Sequence, residues 1–470
     1  MQDLTPLGNI LGTRGLLTDP SDLAGYGLDW RGRFQGRPLA VIRPDNTQQL
    51  AQCLAWTYAN RIAVVPQGGN TGMCGGSVPD GTGMQIIAST SRMNRIRALA
   101  PLDNAITVEA GCVLATIQDE AKRLERHFPL SLGSEGSCQI GGNISTNAGG
   151  TEVLRYGPMR DLVLGLEAVL PDGRVVEGLH TLRKNNAGYD LKHLFIGSEG
   201  TLGIVTAAVL KLFPKARSSA TALCGLSGLD AALTLLERCN QALGPALGNF
   251  EVMDRGQIRL VQKHTALRLP MKEPHNWYVL IGVADPAPDA GIGELLEDIL
   301  AAALDDGLLA DVLIAQSEAQ AQLFWAIRHE VSDANRAAGM VLSHDTAVPT
   351  SRTADFIREV DTALRGLEGG AFPVYVGHLG DGNIHVAVIF PRDLFSKARF
   401  EELSSEVSDH VYRISHAMGG SISAEHGIGQ TLPRKLSAYK DPVQIELMRT
   451  LKAALDPRGL MNPGKVLITS

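Results

Sequence analysis

Between Val64 and Ser77 the chain runs two β-branched residues and a proline into Gln67-Gly68-Gly69-Asn70-Thr71-Gly72-Met73-Cys74-Gly75-Gly76, where five of ten residues are glycine. A strand feeding such a loop brings backbone N–H groups close to a ligand with no Cβ in the way, which is how a pyrophosphate is cradled. The loop has neither the Lys-Ser/Thr ending of a Walker motif nor the Gly-x-Gly-x-x-Gly spacing of a Rossmann turn, so both of those phosphate sites are excluded. An isolated cluster of this kind could equally be a set of turns. The chain carries 51 glycines in 470 residues, above the ~7% of an average protein, and they gather in three places rather than spreading as low complexity.

The second cluster runs from Leu132 to Gly150 and mixes glycine with short hydroxyl and amide side chains. That composition suits a backbone wrapped around a polar ligand needing many neutral hydrogen bonds. The third, Asp190 to Thr206, ends in a strand. Around them the pattern alternates. A strand at Leu39–Pro44 precedes a helix opening at Asn46-Thr47 with Leu50, Cys53, Leu54 and Tyr58 on one face, and the strand Ile62–Val65 then delivers the first loop. Further strands follow at Ile86-Ile87 and Ile106–Gly111, with an amphipathic helix over Val113–Leu124. The strands from Val163 and to Val176 are joined by an Asp172-Gly173 turn. Past Phe213-Pro214-Lys215 the glycine clusters stop. Strands such as Trp277–Val283 then alternate with helices such as Gly293–Leu304 and Leu323–Ala338, as in a separate α+β domain. Residues 421–470 return to glycine-rich sequence before a last helix, Pro442–Leu455. The expected fold is therefore α+β with two domains: 1–215, an inserted 216–420, and a C-terminal segment 421–470 rejoining the first.

The net charge of −7 offers no basic field for nucleic acid or an anionic membrane. No run of about 18 apolar residues and no basic, then apolar, leader occurs, so the protein is expected not to span a membrane and to be cytoplasmic. The six cysteines are scattered without a Cys-x-x-Cys pair, which argues for a reducing compartment and against a disulfide or zinc-knuckle framework.

Chemistry concentrates late in the chain. His378 and His385 are separated by six residues within Gly377-His378-Leu379-Gly380-Asp381-Gly382-Asn383-Ile384-His385, and Glu425-His426 follows between small residues. Two histidines across a glycine turn, suited to a hairpin, plus a Glu-His pair have the composition of a metal site with nitrogen and oxygen ligands; satisfied core histidines are the alternative. Arg328 lies on a helix with Leu323, Phe324 and Ile327 on its apolar face. It can aim a bidentate fork at a carboxylate or sit in a surface salt bridge.

The three glycine clusters, in this order, closely resemble the flavin-binding domain of the vanillyl-alcohol oxidase/p-cresol methylhydroxylase superfamily, in its D-2-hydroxy acid dehydrogenase branch. The likeness runs from Pro66–Gly72 to Asn462-Pro463-Gly464-Lys465. It implies a two-domain flavoprotein with a substrate (cap) domain and an active site between the domains. It also implies FAD, seated on Pro66, Gln67, Gly68, Gly69, Asn70, Thr71, Gly72 and Ser77. Further contacts would come from Ser134, Gly136, Gly141, Gly142, Asn143, Asn147, Gly149, Gly150, Gly203, Ile204 and Asn462. No histidine stands between Pro66 and Ser77, so the flavin is expected to be noncovalent, with Cys74 a loop filler. The resemblance further implies a divalent cation, usually zinc, on His378, His385 and Glu425.

The reaction it implies is oxidation of a D-2-hydroxy acid to the 2-oxo acid, with metal-assisted deprotonation of the hydroxyl, His426 as general base and hydride transfer to flavin N5. Arg328 and Ser332 face the substrate in the relatives, and Asn383 could orient its carboxylate. Relatives acting on D-2-hydroxyglutarate often carry a lysine where this chain has Ser343, so that cation is missing unless a protonated His344 replaces it. D-2-hydroxyglutarate is narrowly favoured over D-lactate and D-malate. With no nicotinamide fingerprint, an electron-transfer flavoprotein or quinone is the expected acceptor, and a homodimer is left open. A flavin-free metal-dependent hydrolase and a noncatalytic ligand-binding protein are the rival classes.

Overall fold

The structure is a computed structural model that describes residues 2–367 and 370–468; Met1 and the final two residues of the C-terminal segment lie outside the described residues. The chain forms two compact units, Met1–Gly150 with Tyr156–Lys215 and Glu425–Ser470 in one, and Thr151–Arg155 with Ala216–Ala424 in the other.

The first unit contains two principal sheets. In one, Ala40–Ile42, Ile86–Ser89 and Val64–Gln67 lie parallel, with Leu16–Leu17 antiparallel at the edge. The helix Thr47–Ala59 is started by Asn46, whose side chain accepts from the Gln49 N–H, a cap worth about 1 kcal/mol. It buries Leu50, Cys53 and Leu54 against that sheet. The other sheet is antiparallel, in the order Ile96–Ala100, Ala105–Glu109, Ile204–Lys211, Val163–Val169, Val175–Gly178. The C-terminal segment joins the first sheet: Val64 N–H donates to Leu460 O and Asn462 N–H to Val64 O, bracketing the strand that enters the glycine loop.

The second unit is a seven-stranded antiparallel sheet, in the order Asp311–Ile314, Ser218–Leu226, Trp277–Asp285, Leu247–Asp254, Phe372–His378, Asn383–Phe390, Met340–Ala347. Alternating residues send Phe250, Val252, Ile384 and Val386 to one face, under Leu229–Leu243, Ile292–Asp305, Thr353–Leu364 and Lys397–Ala417. Met253, Val374, Val376 and Ile389 go to the other, under Arg255–His264, Glu318–His329 and Val331–Ala338. Each large apolar side chain so buried contributes roughly 1.5–3 kcal/mol. The single helix expected over Leu323–Ala338 is two helices. Glu330, at φ −75° and ψ −4°, leaves the α ladder between them, a conformation that ends one helix and starts the next.

Candidate active site

In the first unit the three glycine clusters meet around one cleft. Pro66, Gln67, Gly68, Gly69, Asn70, Thr71, Gly72, Ser77, Gly141, Gly142, Asn143, Gly203 and Ile204 all line it. The glycines have a packing reason. A Cβ on Gly69 would lie 2.1 Å from Ser137 O, so only glycine lets the second cluster close on the first; at Gly72 and Gly142 a Cβ would meet nothing within 4 Å. Side chains hold the loop's shape. Asn70, at φ +55°, accepts from the Ser77 hydroxyl at 2.8 Å and donates to Leu28 O, while the Gln67 amide donates to Tyr26 O and Ser77 O.

Ser134, Gly136, Asn147, Gly149, Gly150 and Asn462 are not among the residues lining this cleft. Asn147 accepts from Arg160 N–H, and Gly150 N–H donates to the Glu425 carboxylate at 3.0 Å. Asn462 donates to Gly76 O and Glu199 O, tying the first cluster to the third. The cleft fits FAD on its own chemistry: a glycine-walled channel, lined mostly by uncharged groups, in which the buried Asn143 Oδ1 has no hydrogen-bond partner. A buried acceptor of this kind is costly unless a ligand donor meets it.

His426 also lines this cleft. Its turn is clamped by residues that motif reading passed over. The Glu199 carboxylate accepts from Ile428 N–H at 2.7 Å and Gly429 N–H at 2.8 Å; burial pushes its pKa up, against the pull of those two donors. Gly429 sits at φ +51° and a Cβ there would come within 2.1 Å of Cys74 O. The Cys74 thiol donates to Gly427 O, so this sulfur packs the loop. Glu425 Oε1 is 3.9 Å from His426 Nε2.

In the second unit the register assembles a polar row. Glu251 is opposite His378, His378 opposite Asn383, and Asp345 opposite His385, so all five side chains share one sheet face across four strands. The His378 and His385 rings meet edge to face at 5.7 Å. His378 Nδ1 is 2.7 Å from Glu251 Oε1, and Arg328 Nε donates to Glu251 Oε2 at 2.8 Å. The Glu251 side chain is 1% exposed. Burial alone would raise its pKa, but His378 and Arg328 together hold it below the ordinary carboxylate value. His385 Nδ1 stands 3.6 Å from Asp345 Oδ1. Asp345 also accepts from Asn383 Nδ2 at 3.0 Å and from Ala424 N–H at 3.0 Å.

The structure engages two of these residues within the protein and answers one open question. Asn383 donates both amide hydrogens, to Asp345 and to Thr346 O, so it braces Asp345 and has no N–H left to orient a substrate carboxylate. Arg328 does point its fork at a carboxylate, but that of Glu251. His344 does not replace the missing cation. It faces away from Ser343 on the alternating strand, is enclosed between Val386 O and Ser408 Oγ, and burial pushes its pKa down to about 4. Ser343 is half-buried and Ser332 is exposed.

A pH dependence follows from His344. The folded state prefers the neutral ring, so its contribution is complete above the unfolded pKa of ~6.5 and is lost as pH falls toward 4. About 2 kcal/mol should be gone at pH 5 on this account. The urea midpoint should therefore fall less between pH 7 and pH 5 in a His344→Gln variant than in the parent. An equal fall in both would contradict the assignment.

Glu251 and Asp345 were missed because each is a single acid inside a strand-like stretch, and Glu199 because the third glycine cluster around it was read for its glycines. The available signal was position: Glu251 interrupts Phe250-Glu251-Val252-Met253, where an ionisable group enters a buried strand.

Residues 38–178 match the family described as FAD binding domain, and residues 215–466 that described as FAD linked oxidases, C-terminal domain. The chain is 39% identical over 467 residues to "D-2-hydroxyglutarate dehydrogenase, mitochondrial" of Bos taurus, covering 99% of this chain and 84% of the relative. It is 36% identical to "D-2-hydroxyglutarate dehydrogenase" of Xanthomonas citri pv. viticola, covering 97% and 94%. The fold is that of p-cresol methylhydroxylase, with a TM-score of 0.75 at 14% identity over 98% of this chain and 96% of that one. No helix among the described residues is long and apolar enough to cross a membrane; the expected cytoplasmic location gains no support from a bovine relative named mitochondrial. With a glycine-walled cleft that fits the flavin and matches that span both halves of the sequence, the chain belongs to the FAD-linked oxidases, in the branch of FAD-dependent D-2-hydroxy acid dehydrogenases.

Proposed function

We propose that this enzyme oxidises D-2-hydroxyglutarate to the 2-oxo acid with noncovalent FAD and a divalent cation, probed first as zinc, and passes electrons to an electron-transfer flavoprotein or a quinone. The observation that carries the reading is the polar row of the second unit, in which two histidines separated by six residues each have a carboxylate at Nδ1. That is the arrangement in which histidines serve as metal ligands. His378 and His385 would hold the cation, with Glu425 as the third ligand that the family resemblance implies. The cation would lower the pKa of a chelated substrate hydroxyl. FAD, when bound, would accept the hydride from C2. His426 would take the hydroxyl proton, on a turn held by Glu199. The names of the bovine and Xanthomonas relatives support the five-carbon dicarboxylate.

One observation favours a second reading, a monocarboxylic acid such as D-lactate. Ser343 carries no charge, and Arg328 Nε is engaged by Glu251, so a cation for a distal carboxylate has not been identified in the row. The test is anaerobic bleaching of the visible flavin band by a panel of D- and L-2-hydroxy acids, repeated after chelation. The D-acids should bleach it, D-2-hydroxyglutarate fastest, and metal removal should slow bleaching by at least about 100-fold. Unchanged rates after chelation would sink the metal assignment; faster bleaching by D-lactate would select the second reading.

A further inference from the structure

A fully buried carboxylate of the second unit lies behind the residues assigned to the reaction. Glu251 is 1% exposed and its two oxygens are divided: Oε1 is 2.7 Å from His378 Nδ1 and Oε2 is 2.8 Å from Arg328 Nε. An ionised carboxylate only accepts, so Nδ1 must carry the proton, and a neutral imidazole protonated at Nδ1 has its lone pair on Nε2. Arg328 cannot shed its charge, and its guanidinium plane is set by the same carboxylate. Neither partner comes from a neighbouring turn of chain. Glu251 sits on Leu247–Asp254, His378 at the end of the adjacent strand Phe372–His378, and Arg328 on the covering helix Glu318–His329.

We infer that Glu251 is a positioning residue which fixes the Nε2-lone-pair form of His378 for metal ligation and, through its second oxygen, the orientation of Arg328 toward a substrate carboxylate. This rests on the metal reading above. The chemistry separates it from an ordinary buried ion pair. A pair that only braces the fold needs one acid and one base, whereas here a single carboxylate is shared between the two side chains that the reaction assigns to different tasks. Asp345 repeats the motif at His385, at a looser 3.6 Å, with Asn383 and Ala424 holding it from behind. Each histidine of the pair is thus backed by its own acid, and both acids are buried.

The experiment measures zinc affinity by chelator competition on the FAD-loaded enzyme, with flavin content and urea midpoint recorded for each variant. Glu251→Gln keeps the volume and loses the charge; Glu251→Asp keeps the charge and withdraws it by one methylene. Loss of such a partner weakens metal binding by roughly 10–100-fold, and both variants should show this at unchanged FAD content. Arg328→Gln leaves the Glu251–His378 bond in place, so its zinc affinity should stay within about threefold of the parent while KM rises. A parent enzyme that binds zinc and a Glu251→Asp variant that binds it equally well would overturn the positioning role and leave the metal site standing. Zinc binding by His378→Ala equal to the parent's would overturn the metal reading and this inference with it. A change in urea midpoint without a change in zinc affinity would reduce Glu251 to a structural group.

Discussion

Replacement of His426 by alanine is expected to lower kcat for hydroxy-acid-dependent flavin reduction by about 10²–10⁴-fold, the usual contribution of a positioned general base, with FAD content unchanged. The separation of these effects comes from how the turn is built. Ile428 and Gly429 are bound through their backbone N–H groups by Glu199, Gln430 N–H donates to Cys74 O, and the Cys74 thiol donates to Gly427 O. None of these bonds uses the imidazole, so its removal takes away a proton acceptor and leaves the wall of the cleft. Stopped-flow reduction of the flavin measures the loss, and added imidazole should restore part of the rate. A His426→Ala enzyme within about threefold of the parent would assign proton removal to another group, since a base contributes far more than that.

Arg328→Ala should produce the second large effect, and on two axes. Glu251 would keep His378 but lose its permanent cation in a fully buried position. Leaving a buried charge without its partner costs about 3–5 kcal/mol, more than the pair gains relative to an apolar replacement. The urea midpoint should fall accordingly, and Arg328→Lys, which restores charge without the planar fork, should recover only part of it. The kinetic axis is the substrate. Because Nε is committed to Glu251, any hold on a substrate carboxylate would fall to the remaining guanidinium N–H groups. Equal increases in KM for D-lactate and D-2-hydroxyglutarate would put them on the carboxylate common to both; a larger increase for the dicarboxylate would put them on the distal one.

The architecture was legible wherever periodicity or capping is local. The Asn46 cap, the Asp172-Gly173 turn, the hairpin bearing His378 and His385 and the helix before Asp456 all follow from short-range pattern. So did the flavin cleft, because glycine clusters are dense signals and the family match removes the flavin-free hydrolase. What escaped was pairing at long range. Arg328 and Glu251 are 77 residues apart, His378 and Glu251 127, Glu199 and Ile428 229. Nothing in a one-dimensional pattern says which buried acid meets which base. That also explains why Asn383 was placed on the substrate and His344 left open: both are polar residues in the right stretch, and only strand pairing and burial decide what each one serves.

The order in which the chain leaves the ribosome gives the bracketing of Val64 by Leu460 and Asn462 a temporal meaning. Domains form as units during synthesis, N-terminal parts first, yet here the strand that enters the first glycine loop gains its outer neighbour only from residues 460–462. Residues 216–424 are contiguous and can collapse while that neighbour is still unsynthesised. Completion of the cofactor unit therefore follows synthesis of the whole second unit, and a chain truncated just before Leu460 would leave the flavin cradle unclosed.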